Sequence, residues 1–298
     1  MTMTRFMDPT AADINGSTLL HPLRPVTLYT LMPFAFVTGG SRGIGRAIVE
    51  RLACDGFDVA FNYRRDDEAA KYVVDTVRSH GRTCIALKAD LGDAAAVATM
   101  LDQLAEQAPR VQVFVANAAA TAFRPLLECK PHHVEKTYAI TIGAFLQIVQ
   151  RLVPTMIDDD GGRVVTLSGM DTHRYVAGHG ILASAKAALE ALTRYLAVEL
   201  GPRGITVNAV NPGYVDTDSV TLYLQDEQGR QDFLDEIAGS TPLRALGTPD
   251  EVASLVSWVC SRQADWLQGQ VLYLDGGIFL HAPGHSVRWW KKTGRMPG

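Results

Sequence analysis

The stretch Phe34-Ala-Phe-Val-Thr-Gly-Gly-Ser-Arg-Gly-Ile-Gly45 restricts the fold more than any other part of the chain. An apolar run breaks into glycines and then opens the amphipathic segment Arg46 to Cys54, which reads as a buried strand, a tight turn and a helix N-terminus. Gly39, Gly43 and Gly45 suit a turn whose backbone takes conformations costly to a residue with a Cβ, and where a ligand approaches the main chain closely. The N–H groups at the helix start, backed by the positive end of the helix dipole, favour an anion, and a pyrophosphate is the natural occupant. A glycine cluster alone marks only a turn. Its place between a strand pattern and a helix pattern gives it the context of a binding loop.

From Phe34 onward short apolar runs alternate with longer amphipathic ones. The strand candidates are Phe34–Thr38, Asp58–Asn62, Thr83–Lys88, Val111–Ala116, Arg163–Ser168, Thr206–Val210 and Val271–Leu274. Between them lie helix patterns at Gly43–Cys54, Asp66–His80, Asp93–Gln107, Pro131–Ile157, His179–Leu200 and Pro249–Ser261. Strands apolar at nearly every position are covered on both faces, and the alternation predicts right-handed βαβ units in a doubly wound α/β fold. The chemistry is then expected in the loops after the strands, where the strand order reverses. No break divides residues 34–280. Residues 1–33, with Pro9, Pro22 and Pro25 and no clear periodicity, read as an extension, and 281–298 as a basic tail carrying Trp289 and Trp290.

The 298 residues are 47% hydrophobic and 20% charged, an ordinary globular composition, and the net charge of −4 argues against a general nucleic-acid binder. Cys54, Cys84, Cys129 and Cys260 show no C-x-x-C or metal-ligand spacing, which fits reduced, buried thiols in a cytoplasmic protein. No run approaches the roughly 18 uninterrupted apolar residues of a membrane span, and the first residues lack a basic start followed by an apolar region. His132-His133 have no third ligand at metal spacing and read as helix-surface residues, so no metal site is expected.

Several motifs in order give the chain a resemblance to the short-chain dehydrogenase/reductases over Phe34 to Gly277. They are Thr38-Gly-Gly-Ser-Arg-Gly-Ile-Gly45, Ala89-Asp-Leu91, Ala116-Asn-Ala-Ala119, Ser184-Ala-Lys-Ala-Ala-Leu189, Asn208-Ala-Val-Asn-Pro-Gly213 with Thr217, and Leu274-Asp-Gly-Gly277. Within the family, Ala187 to Leu200 and Phe61-Asn-Tyr-Arg-Arg65 are most similar to the enoyl-acyl-carrier-protein reductases of the form called type III. The resemblance implies a single Rossmann domain with a seven-stranded, mostly parallel sheet and helices on both faces. It implies a dinucleotide site in which the loop Gly39, Ser41, Arg42, Gly43, Ile44 and Gly45 cradles the pyrophosphate. Asp90, with Leu91, would hold the adenine, and Asn117, Ala118 and Ala119 would form the floor. Pro212, Gly213, Val215 and Thr217 would position the nicotinamide, and Lys186 its ribose. A homotetramer built through the fourth and fifth helices, or a dimer, is implied too. Charge argues the choice of cofactor. The second strand runs into Asn62, Arg64 and Arg65, with Arg42 in the glycine loop, and guanidinium groups pair bidentately with phosphate, which favours NADP(H) over NAD(H). The same arginines also read as a solvated loop edge.

The family's catalytic pattern is incomplete. Lys186 is present, but the tyrosine expected four residues earlier is Leu182, and the position seven earlier that enoyl reductases use is His179. The serine position falls on Gly169, with Ser168 just before it, and the helix asparagine on Thr141. His179 is two helical turns from Lys186 on nearly the same face, so an imidazolium there reaches the same cleft. It also reads as a plain capping residue. Tyr175 is a second candidate acid, or an aromatic plug of its loop. Hydride transfer to a conjugated alkene develops an enolate that a hydrogen-bond donor stabilises, so it tolerates loss of the tyrosine better than ketone reduction does. Three functions stay open: a reductase of an activated C=C or carbonyl in a small molecule or acyl thioester; a cyclase, isomerase or dehydratase that keeps NADP(H) as a structural element; and a cofactor-sensing or partner-binding protein. Gln225 to Ser240 reads as the substrate lid and equally as an ordinary amphipathic helix, and the basic, Trp-containing tail as a solvated tail or as a contact for a neighbouring subunit, an acidic acyl carrier protein or a membrane surface.

Overall fold

A computed structural model describes residues 34–156, 161–217 and 227–280. The extension, the tail and the first residues of the expected lid lie outside them. Seven strands form one sheet: β1 (Phe34–Val37), β2 (Asp58–Tyr63), β3 (Cys84–Lys88), β4 (Val113–Ala116), β5 (Gly162–Leu167), β6 (Ile205–Pro212) and β7 (Val271–Leu274). Their order is β3-β2-β1-β4-β5-β6-β7, and every neighbouring pair is parallel. The expected sheet is therefore wholly rather than mostly parallel. Its order reverses between β1 and β4, which opens a crevice at their carboxyl ends.

The helices are α1 (Gly43–Cys54), α2 (Asp67–Ser79), α3 (Ala94–Gln107), α4 (Pro131–Tyr138), α5 (Ala144–Met156), α6 (Gly180–Leu200), α7 (Glu227–Ser240) and α8 (Pro249–Cys260). Local chemistry sets their starts. The Asp66 carboxylate accepts the Ala69 N–H, Asp93 accepts those of Ala95 and Ala96, and Thr248 with Glu251 forms a capping box. Alternation along β1 feeds two core layers, Phe36 facing α3 and α5 residues, Ala35 and Val37 facing α1 and α8 residues. Phe36 stacks on Phe114 with centroids 5.9 Å apart, and Phe114 on Phe145 at 6.1 Å.

The single helix expected from Pro131 is instead α4, a π-helical turn over Ala139–Gly143, and α5. The segment Pro131–Met156 is long and apolar enough to cross a membrane by length and composition alone, yet Ile148, Val149, Leu152 and Val153 pack in the core. The thiols depart from expectation too. Cys84 and Cys260 are buried, Cys129 is half-buried, and Cys54, the last residue of α1, is exposed.

Candidate active site

The crevice between β1 and β4 is built by the glycine loop. Gly39 and Gly43 have φ of +67° and +53°, in the left-handed region that favours glycine. A Cβ on Gly45 would lie 2.1 Å from the Gly39 carbonyl oxygen and 2.6 Å from Asn117 Nδ2, so α1 packs against this turn only without one. The Thr38 hydroxyl accepts the N–H groups of Asn117 and Ala118, both at 3.1 Å, while the Asn117 amide donates to the carbonyls of Thr38 and Gly39 at 3.0 and 3.2 Å. These bonds clamp the two strand ends that bracket the switch point. Arg42, the N-cap of α1, is extended and makes no side-chain capping bond, which leaves the first-turn N–H groups turned to the crevice.

The cavity there has a volume of about 340 Å³ and is lined by the predicted loop residues Gly39, Ser41, Arg42, Gly43, Ile44 and Gly45. Asn62, Arg64, Asp90, Leu91, residues 117–119 and Thr217 also line it, and Tyr63, Ala89, Ala120 and Ile140 join them unforeseen, whereas the expected Lys186, Pro212, Gly213 and Val215 are not among its lining residues. A volume of this size, a glycine turn with two left-handed residues and a helix N-terminus without a side-chain cap fit a dinucleotide. Arg64 Nε is 3.4 Å from Asp90 Oδ2, and Asp90 Oδ1 accepts the Gly92 N–H at 2.9 Å. Asn62 is buried and its amide donates to the carbonyls of Leu87 and Ala89 at 3.3 and 3.1 Å, so it stitches β2 to β3 while lining the cleft. Pro212 ends β6, Gly213 packs so tightly that a Cβ would lie 2.8 Å from Asp275 Cα, and Val215 is buried in a bridge to Gly247.

The sheet's other functional end lies at β5 and α6. Lys186, in the second turn of α6, is buried, and its ammonium donates to the Leu167 carbonyl. Burial lowers its pKa to about 8 against the opposing charges of Asp171 and Glu190. His179 is the N-cap of α6. Its Nδ1 lies 3.0 Å from Asp171 Oδ2, and its ring centroid 4.9 Å from that of Phe123. A Cβ on Gly169 would stand 2.8 Å from Asp171 Oδ1. The carboxylate therefore fills the space that a side chain at the serine position would take. Burial, and after it the charge of Asp171, raises the pKa of Tyr214 and keeps its phenol protonated.

The two other sequence candidates are engaged differently. Ser168 is buried and donates to Glu190 Oε1 at 2.5 Å, because alternation at the end of β5 turns it toward α6. Glu190 also accepts from Asn211 at 3.0 Å and Thr172 at 3.2 Å, with His173 Nε2 at 3.6 Å. Tyr175 is 93% exposed, so of the two acids suggested by the sequence only His179 is engaged at the site. The Thr141 hydroxyl is buried in the π-helical turn with no hydrogen-bond partner. Asp171, Tyr214 and Glu190 were not legible as site residues. Their spacing from Lys186 follows no motif, and a single turn at Met170–Thr172 brings Asp171 back toward α6.

A wholly parallel seven-stranded sheet, a glycine cradle at its switch point and a buried lysine on the helix after β5 together define an oxidoreductase class. The chain belongs to the short-chain dehydrogenase/reductases, and the family model described as enoyl-(acyl carrier protein) reductase matches residues 39–279. Among curated proteins it is 37% identical to 1-cyclohexenylcarbonyl-CoA reductase of Streptomyces collinus, covering 84% of this chain and 88% of that one. It is 32% identical to the 3-oxoacyl-(acyl-carrier-protein) reductase FabG of Staphylococcus aureus, over 83% of this chain and 98% of that protein. Among solved structures it is similar to a blue fluorescent protein from a metagenomic library in complex with NADPH, at 35% identity and a TM-score of 0.74, over 83% of this chain and 97% of that one. A short-chain dehydrogenase from Burkholderia cenocepacia in complex with NADP gives 35% identity and a TM-score of 0.74, over 83% and 98%.

Proposed function

We propose that the protein is an NADP(H)-dependent reductase of a conjugated C=C in an acyl thioester, with His179 held by Asp171 in the role usually taken by tyrosine. The observation that carries this reading is the 3.0 Å contact between His179 Nδ1 and Asp171 Oδ2, one short helical stretch from buried Lys186. The glycine loop would hold the pyrophosphate, Arg64 and Arg42 the 2′-phosphate, Asp90 the adenine side and Lys186 the nicotinamide ribose. When bound, the reduced nicotinamide supplies the hydride.

The chain's own groups manage the charge that this creates. With Asp171 accepting from Nδ1–H, the imidazole tautomer and ring orientation are fixed, and Nε2–H is the donor toward the thioester oxygen as it becomes an enolate. Lys186, protonated near neutral pH with its pKa at about 8, adds a positive charge beneath the same cleft. The α-carbon then takes its proton from solvent. The names of the relatives support a thioester substrate and the NADP-bound neighbours support the cofactor.

The test is stopped-flow oxidation of NADPH with crotonyl-CoA and a panel of enoyl and 3-oxoacyl thioesters. His179→Ala is expected to lower kcat by about 100-fold, the lower range for a positioned general acid, and Asp171→Asn to lower it less. Tight NADPH binding without oxidation across the panel would sink the reading. It would favour the non-redox alternative, whose motivating observation is that Gly169 and Leu182 stand where the family carries its hydroxyls.

A further inference from the structure

A second cavity of about 370 Å³ lies beside the cofactor cleft and takes no part in the chemistry above. Residues 120–122, Arg64 and the first turns of α4 form its wall. Four nitrogen-bearing side chains line it, Arg64, His132, His133 and Lys136, and no carboxylate does. Arg64 shares its charge with Asp90, whereas Lys136 is exposed and makes no ion pair among the described residues. His133 is oriented: its Nδ1 accepts the Lys130 N–H at 3.1 Å, so Nε2 carries the proton and is the donor. Partial burial, and then the charges of His132, Arg124 and Lys130, hold its pKa below the usual histidine value, which marks a positive local potential.

The cavity is joined to both parts of the active site. Arg64 and Ala120 line it and the cofactor cleft alike. At its other end Ala122 precedes Phe123, whose ring lies against His179, and the Arg124 N–H donates to the Gly178 carbonyl at 3.1 Å. One stretch of loop thus runs from the imidazole to a pocket of nitrogen donors. A substrate with its acyl end at His179 and an extended remainder along this loop would deliver an anionic tail there.

We propose that this cavity is an anion subsite for the phosphate-bearing tail of a coenzyme A thioester. Guanidinium, ammonium and imidazole N–H groups are the donors that recognise phosphate oxygens. A concave pocket of this size, as opposed to a flat basic patch, suits a nucleotide better than the surface of a folded acidic carrier. The inference rests on the reductase reading for the place of the acyl end, but not for binding itself.

Two measurements on the full chain separate them. Calorimetric titration of coenzyme A into the NADP⁺-loaded protein is expected to give binding that Lys136→Glu weakens at least tenfold and Lys136→Arg restores. In turnover, the ratio of kcat/KM for crotonyl-CoA to that for crotonyl-pantetheine is expected to exceed 10 in the wild type and to collapse toward 1 in Lys136→Glu. Coenzyme A binding that obeys these variants without any turnover would support the subsite while the reductase reading fails. Equal kcat/KM for the two thioesters would leave the reductase standing and overturn the subsite. So would a rise in the NADPH Kd of Lys136→Glu with coenzyme A binding untouched, which would assign the cavity to the cofactor's own phosphate. Melting curves and far-ultraviolet dichroism verify that the exposed Lys136 variants are folded.

Discussion

Lys186 is a residue whose burial costs stability in a way that pH can reveal. Its folded pKa of about 8 lies below the roughly 10.4 of an unfolded lysine. Between those values the unfolded chain binds more protons than the folded one, so this residue makes stability rise with pH. Below pH 8 the full penalty applies, on the order of 3 kcal/mol for a shift of this size. The cofactor-free wild type is therefore expected to be less stable than Lys186→Met at pH 7 and to close most of the gap by pH 10. Paired urea melts at the two pH values measure it, and parallel pH profiles for the two proteins would refute the assignment. At this scale the sequence showed the lysine and the histidine, because both are spaced along one helix. It hid Asp171 and Glu190. Asp171 reaches the site through the turn at Met170–Thr172, and Glu190 gains its meaning from Ser168, Thr172 and Asn211 on other segments. Helical periodicity carries no record of such contacts.

At the level of elements, the junction of β1, its glycine turn and α1 is the least tolerant of change. In Gly45→Ala the new methyl would meet the main-chain oxygen of Gly39, which cannot turn aside as a flexible side chain can. The turn or the helix must shift, and phosphate-facing N–H groups shift with it. We expect the NADPH Kd to rise at least tenfold, about 1.4 kcal/mol, with a lower Tm. Gly239, near the end of α7, is the contrast. A Cβ there meets nothing within 4 Å and φ is ordinary, so Gly239→Ala should stabilise the protein by about 0.5 kcal/mol. Fluorescence titration and thermal melts of the two variants decide it, and equal NADPH affinity in Gly45→Ala would show that the turn yields. The glycine turn was readable because strand, glycines and helix are contiguous. The π-helical turn was not, since one added residue within Pro131–Met156 scarcely disturbs the run of apolar positions. Its consequence, a buried hydroxyl at Thr141, appears only once the helices are packed.

For the whole molecule, strands buried on both faces and alternating with helices left little choice but a parallel sheet with two apolar layers, and that much followed from pattern alone. Whether residues 34–280 behave as one cooperative unit is a separate matter, and the thiols can answer it. Cys84 on edge strand β3 and Cys260 at the end of α8 belong to the same apolar layer, and burial pushes both thiols up to about 12. The thiolate is the nucleophile, so neither reacts with iodoacetamide at pH 8 until it is exposed. Cys54 is exposed and should be alkylated at once. Cys129, half-buried with its thiol directed at the carbonyls of Arg124 and Pro125, should be intermediate. If one unit unfolds as a whole, Cys84 and Cys260 become reactive at the same urea concentration and with the same dependence on urea, because a single opening uncovers both. Mass spectrometry of peptides alkylated across a urea series reads the two sites separately. Earlier labelling of Cys84 would mean that β3 detaches before the rest of the sheet. Because β3 abuts β2, which ends at Tyr63 and leads into Arg64 at the cofactor cleft, nucleotide binding should then delay that step and leave Cys260 unmoved.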